Sequence, residues 1–187
     1  MLERITCRAW HDDPAPIPWP DGLAASGAPY SRAADEPLPY ADVLVVTWTA
    51  AEGQALADVL TPGMSNMTWK PHAHQWSSYE PQLTDQSPAR DAHCMGYVAQ
   101  VTIGDVQVLA VKSELHLATD GISAPIVALW KQMVSEAQPK LVISTGTAGG
   151  IGASTQLGDV FAVTNANRPG QALTPILRVY QQPDVVR

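Results

Sequence analysis

The pattern of apolar and polar residues predicts alternating strands and helices from residue 42 onward. The run "DVLVVTWTA" at 42–50 is rich in β-branched residues, which is typical of a strand buried on both faces. Apolar residues then recur at helical spacing in "AAEGQALADVL" at 50–60. The pattern therefore predicts a strand, a short loop and a helix, which is how an α/β domain begins.

The rest of the chain continues this alternation. The segment "YVAQVTIGDVQVLAVKS" alternates on both sides of Gly104-Asp105, which predicts a β-hairpin. "KLVIST" and "DVFAVTNA" are typical of two further buried strands. One helical face in the segment 120–138 is apolar and consists of Ile126, Leu129, Trp130 and Met133. We therefore expect an α/β fold with a mixed, largely parallel sheet flanked by helices.

The first forty residues have a different composition. Seven of the sixteen prolines fall there. Because proline fixes φ and removes a backbone donor, we predict an extended, irregular N-terminal arm over residues 1–40 and a single domain over 41–187. We expect Trp10 and Trp19 to attach this arm to the domain surface.

Charge and cysteine content restrict the class of protein. A net charge of −7, with eleven Lys and Arg residues that form no cluster, argues against a nucleic-acid partner. Cys7 and Cys94 stand outside any CxxC motif, which favours a reducing compartment. No apolar run approaches the ~18 residues of a membrane-spanning helix. We therefore expect a cytoplasmic protein with no membrane partner.

The stretch "VISTGTAGGIGASTQLGDV" at 142–160 is the main candidate for chemistry. It leaves a predicted strand through small residues, and the carboxyl ends of parallel strands form the ligand crevice of open α/β sheets. Gly146 and Gly149 allow close approach, and Thr145 and Thr147 supply hydroxyl groups. The residues alone are compatible with a ligand site for uncharged groups or with a structural turn.

This stretch and its flanks, "PKLVISTGTAGGIGASTQLGDVFAVTNA", resemble the central signature of the nucleoside phosphorylase and nucleosidase superfamily. Upstream, "ADVLVVTWTAAEGQAL" resembles its first strand and loop, and "IGDVQVLAVKS" resembles its hairpin edge. The resemblance covers roughly residues 41–167. It implies a nucleoside-phosphorylase-like fold, a small-molecule nucleoside as partner, and cleavage of the N-glycosidic bond of a purine-type nucleoside without a cofactor or a metal.

The resemblance also implies roles for individual residues. Phosphorylases of the superfamily hold phosphate with arginine in the loop after the first strand, whereas nucleosidases carry a glutamate there as general base. Glu52 occupies that position and no arginine is nearby, so water is favoured over phosphate as the nucleophile. Thr147 is the second implied catalytic residue, placed to fix the water or the sugar. The implied substrate-binding residues are Trp48, Thr145, Gly146, Ala148 and Gly149.

Simpler interpretations stand beside these roles. Glu52 is also compatible with an ordinary solvated acid in the first turn of a helix, where the helix dipole stabilises its negative charge. Trp48 is as compatible with closing a core as with stacking on a base. His72 and His74, with His93 and Cys94, have ligand types suited to zinc, but no second paired motif accompanies them. We interpret that segment as a polar loop and predict no metal site.

One departure from the superfamily bears on activity. The groups that bind the ribose hydroxyls and protonate the purine come from later segments of the superfamily's domain, and the residues after Asn167 are too few to supply them. We therefore expect the chain to contain only the N-terminal part of that domain, with the C-terminal part of the family domain missing. Two functions remain open: a nucleosidase, or a catalytically silent nucleoside-binding or structural module of the same fold.

The resemblance and an incomplete sheet together predict self-association, because superfamily members form dimers or hexamers and an uncovered sheet exposes apolar surface. The helix that carries Trp130 and Met133 is the expected contact. Light scattering on the purified chain at micromolar concentration should give the mass of a dimer or a larger homo-oligomer. A monodisperse monomer would contradict this expectation.

Overall fold

The computed structural model of the chain describes residues 19–20, 22–27, 30–121, 124–147, 161–162 and 177–178. The chain divides into two compact units, Met1–Gly146 and Thr147–Arg187. In the second unit, the described residues form one antiparallel strand pair, β7 (Phe161–Ala162) with β8 (Leu177–Arg178). Of the strand predicted at 159–166, the structure describes Phe161 and Ala162, and these two residues pair with β8.

An open six-stranded mixed sheet forms the centre of the first unit. Its strands are β1 (Ala25–Gly27), β2 (Val43–Thr47), β3 (Lys70–His72), β4 (Gly96–Ile103), β5 (Val106–Ser113) and β6 (Leu141–Ser144). Their order is β1-β4-β5-β2-β6, and β3 also pairs with β4. Strand β2 runs parallel to both β5 and β6, whereas β4 is antiparallel to β1, β3 and β5. The predicted α/β class and mixed sheet are confirmed, with β4 opposing the other five strands.

Helices cover both faces of this sheet. The described helices are α1 (Ala50–Leu60), α2 (Trp76–Tyr79), α3 (Pro88–Ala92), α4 (Leu117–Asp120) and α5 (Ile126–Ala137), with short 3₁₀ turns at Asn66–Thr68 and Glu80–Gln82. Because side chains alternate along a strand, Val45 packs in the cluster that contains α1, and Leu44 packs in the cluster that contains α5. Within the described ranges, no helix has the length and apolar content needed to cross a membrane.

The packing of α5 corrects one expectation. Met133 is 1% exposed and belongs to the core, so it is not available for the predicted contact between copies. The outward face of α5 instead carries Val127, which is 70% exposed, and Val134. Self-association remains a prediction, and a contact through α5 would use these two valines.

Part of the proline-rich arm joins the sheet. Ala25 pairs with Ile103 and Gly27 with Val101 along the edge of β4. Further on, Leu38 is 3% exposed, and its backbone N–H donates to the carboxylate of Glu136 on α5. The proline content gave no sign of these long-range contacts, and most of the predicted arm lies outside the described residues.

Asp42 ties together the amino-terminal ends of three strands. One carboxylate oxygen accepts from the backbone N–H of Gln107 at 3.0 Å, and the other accepts from the Lys140 ammonium at 2.8 Å. The backbone carbonyl of Asp42 accepts from Lys140 and Leu141. Hydrogen bonds from Lys140, Gln107 and the Tyr40 hydroxyl lower the pKa of Asp42 from 3.8 to about 2. The ionised form of Asp42 is therefore the form that stabilises the fold.

Asp42→Asn should lower the free energy of unfolding near neutral pH. Because the pKa is lower in the folded state, the contribution of Asp42 is fully present above the unfolded pKa of 3.8 and is lost as the pH falls through about 2. Urea unfolding of the wild-type and variant chains at several pH values measures the difference. Asp58→Asn on α1 is the control. A difference that stayed constant down to pH 2 would contradict the proposed contribution.

Gly96 lies where β4 approaches β5 closely. A Cβ atom at Gly96 would be 2.6 Å from the backbone carbonyl oxygen of Lys112, whereas one at Gly27 in β1 would meet no atom of the described residues within 4 Å. Gly96→Ala should therefore destabilise the fold by about 1–3 kcal/mol, and Gly27→Ala by less than about 0.5 kcal/mol. Chemical denaturation measures both values. Equal effects of the two substitutions would show that the close approach at Gly96 is not a constraint.

Candidate functional site

The amino-terminal end of α1 follows directly on the carboxyl end of β2. Thr49 is the N-cap residue, and its hydroxyl accepts from the backbone N–H of Glu52 at 3.3 Å. In return, Oε2 of Glu52 accepts from the backbone N–H of Thr49 at 3.0 Å. This reciprocal pair is a capping box, which satisfies two donors that a helix start leaves open. Glu52 therefore has a structural role at the start of α1, as its first-turn position indicated.

The same carboxylate also makes contacts outside the capping box. Oε2 accepts from the Thr47 hydroxyl and from the backbone N–H of Trp48, each at 3.3 Å. Oε1 faces the loop that follows β6, because a Cβ atom built on Gly146 would lie 3.4 Å from it. The Glu52 carboxylate is thus held at the end of β2, in contact distance of the first glycine of the small-residue loop.

The parallel pairing of β2 with β6 brings these two ends together. Val46 is the register partner of Ser144, and the ladder continues with the Thr145 backbone N–H donating to the Val46 carbonyl at 2.8 Å. The Thr145 hydroxyl lies 3.4 Å from the same carbonyl and donates to it. Thr145 therefore supports the junction between the strand and the loop, and Gly146 is the first residue beyond it. A substrate role for either residue remains a prediction.

Trp48 is fixed beside this junction. Its indole N–H donates to the Ser144 hydroxyl at 3.2 Å, and its ring lies 5.6 Å from the ring of Trp130 on α5, centroid to centroid. Trp48 is partly buried against the core, so the packing interpretation holds for part of its surface. Together with His116, Ile126 and Trp130, it also lines a cavity of about 450 Å³. Trp48 thus packs on the core with one part of its surface and, with another part, lines a cavity at the carboxyl end of β2.

His116 is a residue of this region that the sequence analysis missed. It follows the end of β5, and its backbone N–H donates to Oδ2 of Asp120 at 2.8 Å. Asp120 is 1% exposed, and its Oδ1 is buried with no hydrogen-bond partner among the described residues. The position of the segment 114–120 directly after a parallel strand was the available signal that it contributes to the crevice.

Lys112, near the carboxyl end of β5, has its positive charge paired with Glu114. Lys112 pairs with Thr47 in the register of β2 and β5, and its ammonium donates to Glu114 at 2.6 Å. The side chains of both members of this ion pair are only about one-tenth exposed, at 10% and 9%. Breaking a buried pair leaves an uncompensated charge, so Lys112 is a poor ligand for an incoming anion.

A second cavity, of about 490 Å³, lies at the side edge of the sheet, where its lining includes Tyr30, Thr61, Trp69 and Lys70. It is slightly larger than the cavity beside Trp48. However, it lies along β4 and not at the carboxyl ends of parallel strands, where ligands bind in open α/β sheets. We therefore place the candidate site at Trp48 and Glu52.

The histidines considered for zinc have other partners. His72 is 2% exposed and lies 3.5 Å from the Glu136 carboxylate, and His74 lies 2.6 Å from the same group. Burial lowers the pKa of His72, against the opposing effect of Glu136. His93 packs edge-on against Trp76, and Cys94 is buried, which raises the pKa of its thiol. The interpretation of this segment as a polar loop was wrong for His72, because His72 is a buried residue of strand β3 that pairs with Gly96.

Within the described ranges, no group of three or more His, Cys, Asp or Glu side chains is arranged to hold a metal ion. Of the remaining residues predicted for the site, Thr147 begins the second unit, and its placement against Glu52 remains a prediction. Ala148 and Gly149 lie outside the described residues.

Comparison of the chain with known proteins gave no match to a protein-family model, to a curated protein or to a solved structure.

Proposed function

We propose that the chain hydrolyses the N-glycosidic bond of a purine-type nucleoside, with Glu52 as the general base. The observation that carries the proposal is the position of the Glu52 carboxylate. It is held at the end of β2 by three donors, on Thr47, Trp48 and Thr49, and lies against Gly146 at the end of the neighbouring strand β6. The resemblance of this loop to the superfamily signature supplies the reaction class. The proposed compartment is the cytoplasm.

The reaction breaks the bond between C1′ of the ribose and a ring nitrogen of the base. The electron pair of that bond leaves with the base, and the oxygen of a water molecule bonds to C1′. Glu52 removes a proton from this water as positive charge develops on the sugar, and the base takes up one proton, so the products are free ribose and neutral base. Glu52 then returns its proton to solvent.

The local charges favour water over phosphate as the nucleophile. A phosphate dianion would approach the Glu52 carboxylate, which repels it. The ammonium of Lys112 is engaged by Glu114 at 2.6 Å and would have to leave a buried ion pair to compensate. A neutral water molecule is not repelled by the Glu52 carboxylate and does not require Lys112 to leave its ion pair.

A catalytically silent nucleoside-binding module is the second candidate. The capping box at Thr49 favours it, because this hydrogen bonding explains a glutamate at position 52 without any chemistry. The two candidates differ in one measurable respect, which is the release of base from a bound nucleoside.

Glu52→Gln should reduce the release of base and ribose from adenosine about a hundredfold or more, because it removes the general base. Glutamine keeps one side-chain oxygen, which can still accept from the Thr49 backbone N–H, so the fold should survive. The assay measures free adenine and free ribose from the full chain, with and without phosphate. Glu80→Gln, in the 3₁₀ turn at Glu80–Gln82, is the control and should retain wild-type activity.

Three outcomes would change the proposal. Ribose 1-phosphate as the product would overturn the assignment of water. Full activity in Glu52→Gln would remove Glu52 from the mechanism. Binding of adenosine by the wild-type chain without release of adenine would establish the silent module.

A further inference from the structure

The cavity of about 490 Å³ lies along the outer edge of β4, away from the carboxyl ends of the parallel strands. Among the described residues, β3 pairs with the first three residues of β4 and β1 pairs with the last three. Ala99 and Gln100, which lie between these two ladders, line the cavity together with Gly27 of β1 and Lys70 of β3. Its volume is within the range of ~300–1,000 Å³ that is usual for small-molecule sites.

Most polar side chains in the lining make hydrogen bonds within the protein. The Trp69 indole N–H donates to the Thr61 hydroxyl at 3.1 Å, and that hydroxyl donates to a backbone carbonyl of α1. The Thr68 hydroxyl donates to a backbone carbonyl at 2.7 Å, and the Gln100 amide donates to the side chain of Gln107 at 3.2 Å. The apolar and glycine residues of the lining are Gly27, Met64, Val98 and Ala99. The body of a ligand in this cavity would therefore lie against a largely apolar surface.

Lys70 and Tyr30 are the two polar side chains of the lining that differ from the others. Among the described residues, neither side chain has a hydrogen-bond or ion-pair partner, whereas Lys112 and Lys140 each pair with a carboxylate. Burial raises the pKa of the Tyr30 hydroxyl, so this group is a neutral donor near pH 7. The cavity thus combines apolar walls with one ammonium group and one phenolic donor.

The charge of these two groups restricts the class of ligand. One ammonium group compensates one negative charge, and a phenolic O–H adds a hydrogen bond without adding charge. A carboxylate has a single negative charge and two oxygen atoms that accept hydrogen bonds, so it matches this pair. A phosphate dianion would keep one charge uncompensated beside apolar walls, which is unfavourable.

We propose that this cavity binds a small monocarboxylate with an apolar body, whose carboxylate is held by Lys70 and Tyr30 and whose body lies against Trp69 and Val98. Gly27 and Tyr30 belong to the segment that the sequence analysis treated as an arm, so the site gives part of that arm a role in binding. The site does not involve Glu52, and its occupancy requires no cleavage.

Octanoate is the probe that tests the site, with octanamide as its uncharged counterpart. In an NMR titration of the full chain, octanoate should shift the Trp69 indole N–H along one saturable curve. Lys70→Gln should weaken the affinity for octanoate about threefold to tenfold, because the partner of the carboxylate is lost, and should leave the affinity for octanamide unchanged. Lys131→Gln on α5 is the matched control, since Lys131 is exposed and does not line the cavity.

A second variant tests the position of the ligand's body. A Cβ atom at Gly27 would meet no atom of the described residues within 4 Å, so Gly27→Leu can place its side chain in the cavity without a clash. It should weaken the binding of octanoate and octanamide alike by about tenfold, with an unchanged circular dichroism spectrum. Ser26→Leu is its control, because successive side chains of a strand point to opposite faces.

Three results would overturn the proposed site. The first is the absence of saturable binding to the wild-type chain at millimolar octanoate. The second is equal affinity of the wild-type chain for octanoate and octanamide. The third is wild-type affinity for octanoate in either Lys70→Gln or Gly27→Leu. Because the titration measures binding alone, failure of the proposed hydrolysis would leave its outcome unaffected.

Discussion

The parallel pairing of β2 with β5 on one side and β6 on the other is the constraint on which the account depends. It aligns three carboxyl ends, so that Thr47 lies opposite Lys112 and Val46 lies opposite Ser144. Every group assigned to the site follows one of these strands within a few residues or reaches the site from α5. Without this register, Glu52 at the start of α1 and Gly146 in the loop after β6 would not be brought together.

The Glu52 carboxylate has an observed structural role, and the proposed chemical role would use the same group. Oε2 is used in full, by the capping box and by donors at the end of β2. Oε1 lies on the side of the carboxylate that faces Gly146. In the proposed mechanism helix capping would not compete with Glu52 as general base, because the same hydrogen bonds hold the carboxylate at the end of β2.

The elements that sequence patterns predicted well are those whose signals are local. The apolar run before Thr47, the spacing along α1 and the Gly104-Asp105 turn each indicate their structure within a few residues. Contacts between distant segments gave no such signal. The burial of His72 depends on Glu136 in α5, and the sheet position of Ala25 depends on the edge of β4.

The same distinction applies to the candidate site. Glu52 was singled out through the resemblance of its loop to the superfamily, and the Thr49–Glu52 spacing of a capping box is a local signal of its structural role. The cavity was not identifiable, since it needs Trp48, His116 and Trp130 to converge from three elements. An apolar helical face predicted Trp130 as core, and a periodic pattern does not show where a core side chain borders an opening.

The most direct test of a nucleoside site at these strand ends is an NMR titration with a C-nucleoside, whose carbon–carbon glycosidic bond cannot be hydrolysed. The account predicts that the Glu52 carboxyl carbon, the Gly146 amide and the Trp48 indole N–H shift together along one binding curve. If these signals stayed in place while those of Trp69 and Thr61 at the β4 edge shifted, or if no signal shifted at millimolar ligand, the site would be contradicted.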